Sequence, residues 1–220
     1  MENIISLDLL FRWAHVLFGI TWIGLLYYFN FIQGEYFKEA EASAKADATK
    51  KLAPRALWWF RWGAMFTFIT GLVLLMGIRK THGIDGFIAM GALMGTFMFL
   101  NVWLIIWPNQ KIVCGIVEGD ASVAGPKALL ASRTNTLFSI PMLFGMLASF
   151  HGTGKGSTLI DHAAGASQGL TTGVIAVLAL VVLLQLNAMF GKLGPMASVK
   201  GVIHSSLALA VVCVGLLQLV

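Results

Sequence analysis

The side chains in this chain best suited to chemistry are its five histidines. A neutral imidazole presents a nitrogen lone pair to a haem iron or a transition metal. His15 shares a helical face with Arg12, Gly19 and Trp22, at offsets of −3, +4 and +7. An ionisable group in such an apolar stretch is costly and tends to face the interior of a bundle. His151 falls at a similar depth on another apolar stretch. The two rings could ligate a haem iron axially or share a metal, with His82 and His162 as further candidate metal ligands. In that arrangement Arg12 pairs with a propionate or another anion, and Trp22 packs against the cofactor. Gly19 leaves room beside the imidazole for a flat group or another helix. The competing chemistry is plainer: a histidine one turn below an interface can hydrogen-bond to water, a headgroup or a carbonyl. His204 reads as structural, and no catalytic residue is identified.

Other patterns mostly exclude functions. There is no CxxCH, so no haem c can be attached covalently, and Cys114 and Cys213 read as small packing residues. No H-E-x-x-H, paired-carboxylate or Ser-His-Asp order is present. Gly152-Thr153-Gly154-Lys155-Gly156-Ser157 fails the phosphate-loop pattern, because Gly156 stands where Ser or Thr must follow the lysine; it reads as a flexible external loop. Asn30 and Asn101 are expected to hydrogen-bond between helices. Ser132-Arg133-Thr134-Asn135-Thr136 could bind a phosphate or headgroup, or could be a helix start with a capping hydroxyl and a snorkelling arginine.

The elements that carry these residues follow from charge depletion. Of 220 residues, 58% are hydrophobic and 11% charged, against about 25% charged in soluble domains. A fold of this size could not cover its surface with so few polar groups, whereas lipid requires none. The expected class is all-α: a polytopic membrane helix bundle of about six transmembrane helices in a single domain, 1–220. The spans are placed at about 10–34, 56–78, 86–108, 132–152, 168–191 and 200–220, each near the roughly 20 residues that cross about 30 Å of hydrocarbon. Segments 35–53 and 110–125 are expected as amphipathic connectors. The first reads as a helical extension stopped by Pro54, the second as holding a short interfacial helix over Ile112–Val117. Trp58, Trp59 and Trp62 flank Arg61 as an interfacial belt would. Gly91 and Gly95 form a small-xxx-small pair suited to a close helix crossing.

Basic residues alternate between connectors. Lys38, Lys45, Lys50, Lys51, Arg55, Lys111, Lys127, Arg133, Lys192 and Lys200 fall on one side; Arg79, Lys80 and Lys155 fall on the other. The positive-inside rule then puts both termini outside. The net charge of +5 is thus an orientation signal, and nucleic acid is not expected as a partner. Glu2 and Asp8 argue against a cleavable signal peptide. The expected location is the bacterial inner (cytoplasmic) membrane, as a multi-pass protein in the lipid bilayer.

Several strings resemble the membrane domain of PuuD-type urate hydroxylases, the urate oxidase N-terminal family. They are Arg12-Trp13-Ala14-His15, Gly19 to Phe31 (GITWIGLLYYFNF), Ala56 to Ala64 (ALWWFRWGA), Gly91 to Gly95, Asn101 to Gln110 (NVWLIIWPNQ), and Ser132 to Thr136 followed by Ser139-Ile140-Pro141-Met142-Leu143. The resemblance implies an integral membrane domain, usually followed by a C-terminal cytochrome c, and a part in oxidising urate. This chain carries no such cytochrome, so its electron acceptor is expected to be a separate cytochrome c. The spacing of His15, Trp22, Gly24 and Tyr27 is more loosely similar to HemJ-type and CopD-type membrane proteins, which implies b-type haem or copper respectively. The expected function is a membrane redox protein with haem b or a transition metal near its periplasmic face. The alternative is a non-catalytic accessory or scaffold subunit of a larger membrane complex.

Overall fold

The computed structural model describes residues 6–81, 83–151, 158–160 and 170–219. Among them the chain forms six long helices. The first, α1, runs Leu7–Glu39 with a π-turn at Tyr28–Gln33, and α2 runs Ala42–Arg79 with one at Ala48–Leu52. Next, α3 covers Gly86–Val113 with a π-turn at Asn101–Ile106. Then come α4, Ala121–His151, α5, Thr172–Phe190, and α6, Val199–Leu219. A single antiparallel pairing, Ile84 with Ile160 and Asp85 with Thr158, is added among the described residues. The all-α expectation holds.

Local chemistry explains where these helices begin. The Ser6 hydroxyl accepts from the Leu9 N–H at 3.1 Å, Asp85 from Ile88 at 2.8 Å and Thr171 from Val174 at 3.4 Å. Each satisfies an N–H that the first helical turn leaves without a partner. Asp85 also accepts from the Ser149 hydroxyl at 2.7 Å, which fastens the start of α3 to the end of α4.

Five helices, α1, α2, α3, α5 and α6, are long and apolar enough to cross a membrane. Large apolar side chains such as Ile20, Leu104, Leu183 and Val211 point outward, as lipid contact favours and water does not. The polar stretch of α4 keeps it out of that group, yet α4 is the helix around which the others gather. It packs against α3, α5 and α6 and touches α1. Arg133, Thr134, Asn135, Thr136 and Ser139 are all buried. A helix enclosed by protein need not be apolar, because its neighbours replace the lipid.

Glycines set the crossings. A Cβ on Gly145 would lie 2.6 Å from the Phe87 carbonyl oxygen, and one on Gly91 3.1 Å from that of Met142. The expected close approach at Gly91 is therefore the α3–α4 crossing. On α2, a Cβ at Gly63 would meet the Trp22 backbone nitrogen at 3.2 Å, which marks the α1–α2 crossing.

Three local expectations are corrected. Pro54 does not stop a helix: the break falls at Ala40–Glu41, and α2 runs through Pro54. The widened turn at Ala48–Leu52 lies just ahead of the proline, where an ordinary helix would suffer its missing N–H and its ring clash. Ile112–Val117 is not a separate helix. α3 continues to Val113, and the chain then turns with Gly115 at φ 70°, a left-handed conformation natural to glycine. Finally, Ser132–Thr136 is not a helix start, because α4 begins at Ala121, and Arg133 does not snorkel but is buried.

Candidate functional site

Two polar clusters occupy the bundle. The first lies where α1 begins and α4 ends. The His15 ring is turned toward α2: its Nδ1 is 2.9 Å from the Thr67 carbonyl oxygen and 3.1 Å from the Thr70 hydroxyl. The Thr70 hydroxyl also donates to the Phe66 carbonyl at 2.7 Å, a bond that satisfies it within its own helix. The Thr67 carbonyl can only accept, so Nδ1 carries a proton, and in the neutral ring Nε2 keeps its lone pair. Gly71 makes the slot for the ring. A Cβ there would sit 3.0 Å from His15 Cε1. The room beside Gly19 is taken by another helix, with Thr67 Cγ2 at 4.0 Å from its would-be Cβ.

Arg12, one turn nearer the helix start, bonds to Asp8 at 2.6 Å and lies 4.7 Å from the centre of the Phe150 ring. That contact brings the first turns of α1 beside the last turn of α4, where His151 is exposed. His15 and His151 thus belong to the same end of the bundle. Trp22 is buried against α2, and its indole N–H has no acceptor. His82 and His162 lie outside the described residues, as does the Gly152–Ser157 segment. His204 is exposed on α6.

The second cluster centres on α4 and explains the asparagines. Both expected interhelical amides lie in π-turns, which re-aim side chains that a regular helix would direct elsewhere. Asn30 donates to the Ser132 hydroxyl at 2.8 Å and the Leu26 carbonyl at 2.9 Å. Asn101 donates to Asn135 Oδ1 at 2.8 Å and to Gln185 Oε1 at 3.0 Å, while Gln185 Nε2 donates back at 2.7 Å. Asn135 closes the set by donating to the Met98 carbonyl at 2.9 Å. Helices α3, α4 and α5 are thereby tied through three buried amides. Gln185 was not anticipated; its signal was an amide within the apolar run 174–186 of α5.

Pro141 supplies a further link. It has no N–H to give the Leu137 carbonyl, four residues back. The Ser206 hydroxyl of α6 donates to that carbonyl at 2.7 Å instead. Ser206, Thr136, Ser139, Tyr27, Phe31, Ile140 and Ile203 line a cavity of about 170 Å³ between α1, α4 and α6. Its hydroxyls are already committed: Ser139 donates to the Thr136 carbonyl at 2.7 Å, and Tyr27 meets Ser139 at 2.9 Å.

An apolar exterior, spans of membrane length and polar side chains gathered around an enclosed helix define a polytopic α-helical membrane protein. Residues 82–161 match the protein family described as Urate oxidase N-terminal, which agrees with the resemblance drawn from the sequence. The matched stretch carries Asn101, Arg133, Asn135 and His151, so α4 and most of its polar partners on α3 fall within it. No curated protein and no solved structure matches the chain.

Proposed function

We propose that the protein is a membrane redox protein of the urate-hydroxylase type, with haem b bound at the end of the bundle that holds His15 and His151. The observation that supports this most directly is the hydrogen bond of His15 Nδ1 to the Thr67 carbonyl. Imidazoles that bind metals commonly engage their second nitrogen this way, which fixes the ring and leaves the other nitrogen free to ligate. The donor set would suit a haem held by two imidazoles better than a metal cage. Among the described residues no group of three His, Cys, Asp or Glu is gathered. His15 and His151 would hold the iron, which supplies one-electron chemistry when bound. Arg12, one turn from His15 along α1 and in contact with Phe150 next to His151, offers a cation to an acidic substituent. Trp22 walls the site from the bundle interior.

In this reading the termini and the His15 end face the periplasm of a bacterial inner membrane. Electrons leave to a separate cytochrome c, and urate is the substrate to be tried first. The test is a pyridine haemochrome spectrum with metal analysis on the purified full chain and on His15→Ala. The expected result is a b-type spectrum in the wild type that is lost in the variant. Wild-type protein with a featureless Soret region and no bound metal overturns the proposal. Such a protein, if it co-purified with a larger membrane assembly, would point instead to the accessory-subunit reading.

A further inference from the structure

Arg133 stands apart from both clusters in its electrostatics. It exposes only 5% of its surface in the middle of α4. Its Nε–H and both Nη1–H bonds meet no acceptor. Glu35 is the carboxylate close enough to act on it, but both Glu35 oxygens are held by Lys38, at 2.8 and 2.9 Å. Among the described residues no ion pair includes Arg133. An arginine cannot shed its proton to escape this position, and a buried guanidinium whose N–H groups meet no acceptor is strongly unfavourable even with a carboxylate acting on it from a distance. An anion at the guanidinium removes the difficulty.

A second buried group narrows its chemistry. Gln33 Oε1, on α1, also meets no partner. Gln33 ends the π-turn that holds Asn30, and Asn30 donates to Ser132, the residue before Arg133. Unmet donors on α4 and an unmet acceptor on α1 therefore occur within a few residues of the two ends of one hydrogen bond. An occupant that accepts from the guanidinium and still has an O–H to give is a partly protonated oxyanion. Hydrogen phosphate and phosphate monoesters have this character, whereas chloride does not. The chain beyond Gln33 carries Lys38, Lys45, Lys50 and Lys51 beside Glu35, Glu39, Glu41 and Asp47, so it adds no net charge of its own and the recognition of an anion falls to Arg133.

We propose that Arg133 anchors a binding site for a phosphate-class oxyanion between α4 and α1, separate from the His15 cluster. The phosphate comes either from a lipid headgroup or from solution, and the experiment separates the two. The full chain is purified in mild detergent, and its phospholipid phosphorus is measured. After delipidation, inorganic phosphate is titrated against thermal melting at ionic strength held constant with sodium chloride. The wild type is expected to gain about 5–10 °C in Tm at a hundredfold excess over half-saturation. Arg133→Met is expected to gain nothing, and Arg133→Lys to need at least about tenfold more phosphate, because lysine lacks the planar donor set. Phosphorus that stays with the wild type through purification, and is absent from Arg133→Met, identifies a headgroup as the source. A wild type with neither a phosphate response nor retained phospholipid overturns the site, and a bridging water then suffices. Equal half-saturation for wild type and Arg133→Lys also overturns it, and that comparison decides the matter if Arg133→Met does not fold.

Discussion

Replacing Gln185 with leucine tests whether the amides at the bundle centre hold α3, α4 and α5 together. Gln185 is buried, and Asn101 has no exposed surface. Leucine at 185 removes the 2.7 Å bond to Asn101 Oδ1 and the acceptor at 3.0 Å from Asn101 Nδ2. The bond from Asn101 to Asn135, at 2.8 Å, survives. Interhelical hydrogen bonds in membrane bundles are worth about 0.6 kcal/mol on average and up to about 1.7 kcal/mol. Losing two therefore costs about 1–3 kcal/mol. Leucine fills nearly the same volume as glutamine, so no cavity adds to the cost, and its apolar side chain recovers part of it. The net expectation is about 1–2 kcal/mol, or about 2–8 °C in Tm for a chain of this size.

Asn101→Leu should cost more, because it strands the Gln185 amide and Asn135 Oδ1 together. The double variant should cost less than the two single variants added, by roughly 0.5–3 kcal/mol, since the second change removes a group the first has already stranded. Tryptophan-monitored melting of the full chain in mild detergent measures all four proteins. A Gln185→Leu protein within about 1 °C of the wild type, or single changes that simply add, would refute the account of the centre as one coupled network.

Three further substitutions test the close contacts between helices. Gly71→Ala puts a Cβ 3.0 Å from the His15 ring, whereas Gly24→Ala on α1 meets nothing within 4 Å. Gly24→Ala should therefore stabilise by about 0.5–1 kcal/mol through backbone entropy. Gly71→Ala should lose that gain and disturb the His15 bond to Thr67. Comparing the melts, together with ¹⁵N imidazole NMR of His15, checks this; equal stabilisation would mean the slot at Gly71 is roomy. Gly145→Ala forces a methyl to 2.6 Å from the Phe87 carbonyl oxygen. It should cost at least the roughly 1–3 kcal/mol of an overpacked core, read as a Tm loss of several degrees.

The sequence by itself determined that this chain lives in a membrane, because long stretches without charge leave no water-soluble surface. It also determined where most helices lie, since the charged residues cluster between them. The small residues at Gly91 and the amides at Asn30 and Asn101 were legible as interhelical contacts, for glycine and amides in an apolar run have few other uses. Arg12 and His15 were legible as a pair on one face through the period of the helix alone.

Only the tertiary structure decided which helix is enclosed. Hydropathy cannot distinguish a helix bathed in lipid from one surrounded by other helices, so nothing local marked α4, with its buried Arg133, Thr134 and Asn135, as the enclosed one. Partners were equally hidden. The groups that satisfy Asn101 lie 34 and 84 residues away along the chain, and no local pattern encodes a contact that the packing of three helices creates. The same holds for Thr67 and Gly71 around His15, and for Ser206 beneath Pro141. In each case the sequence names a polar need, and the fold supplies what meets it.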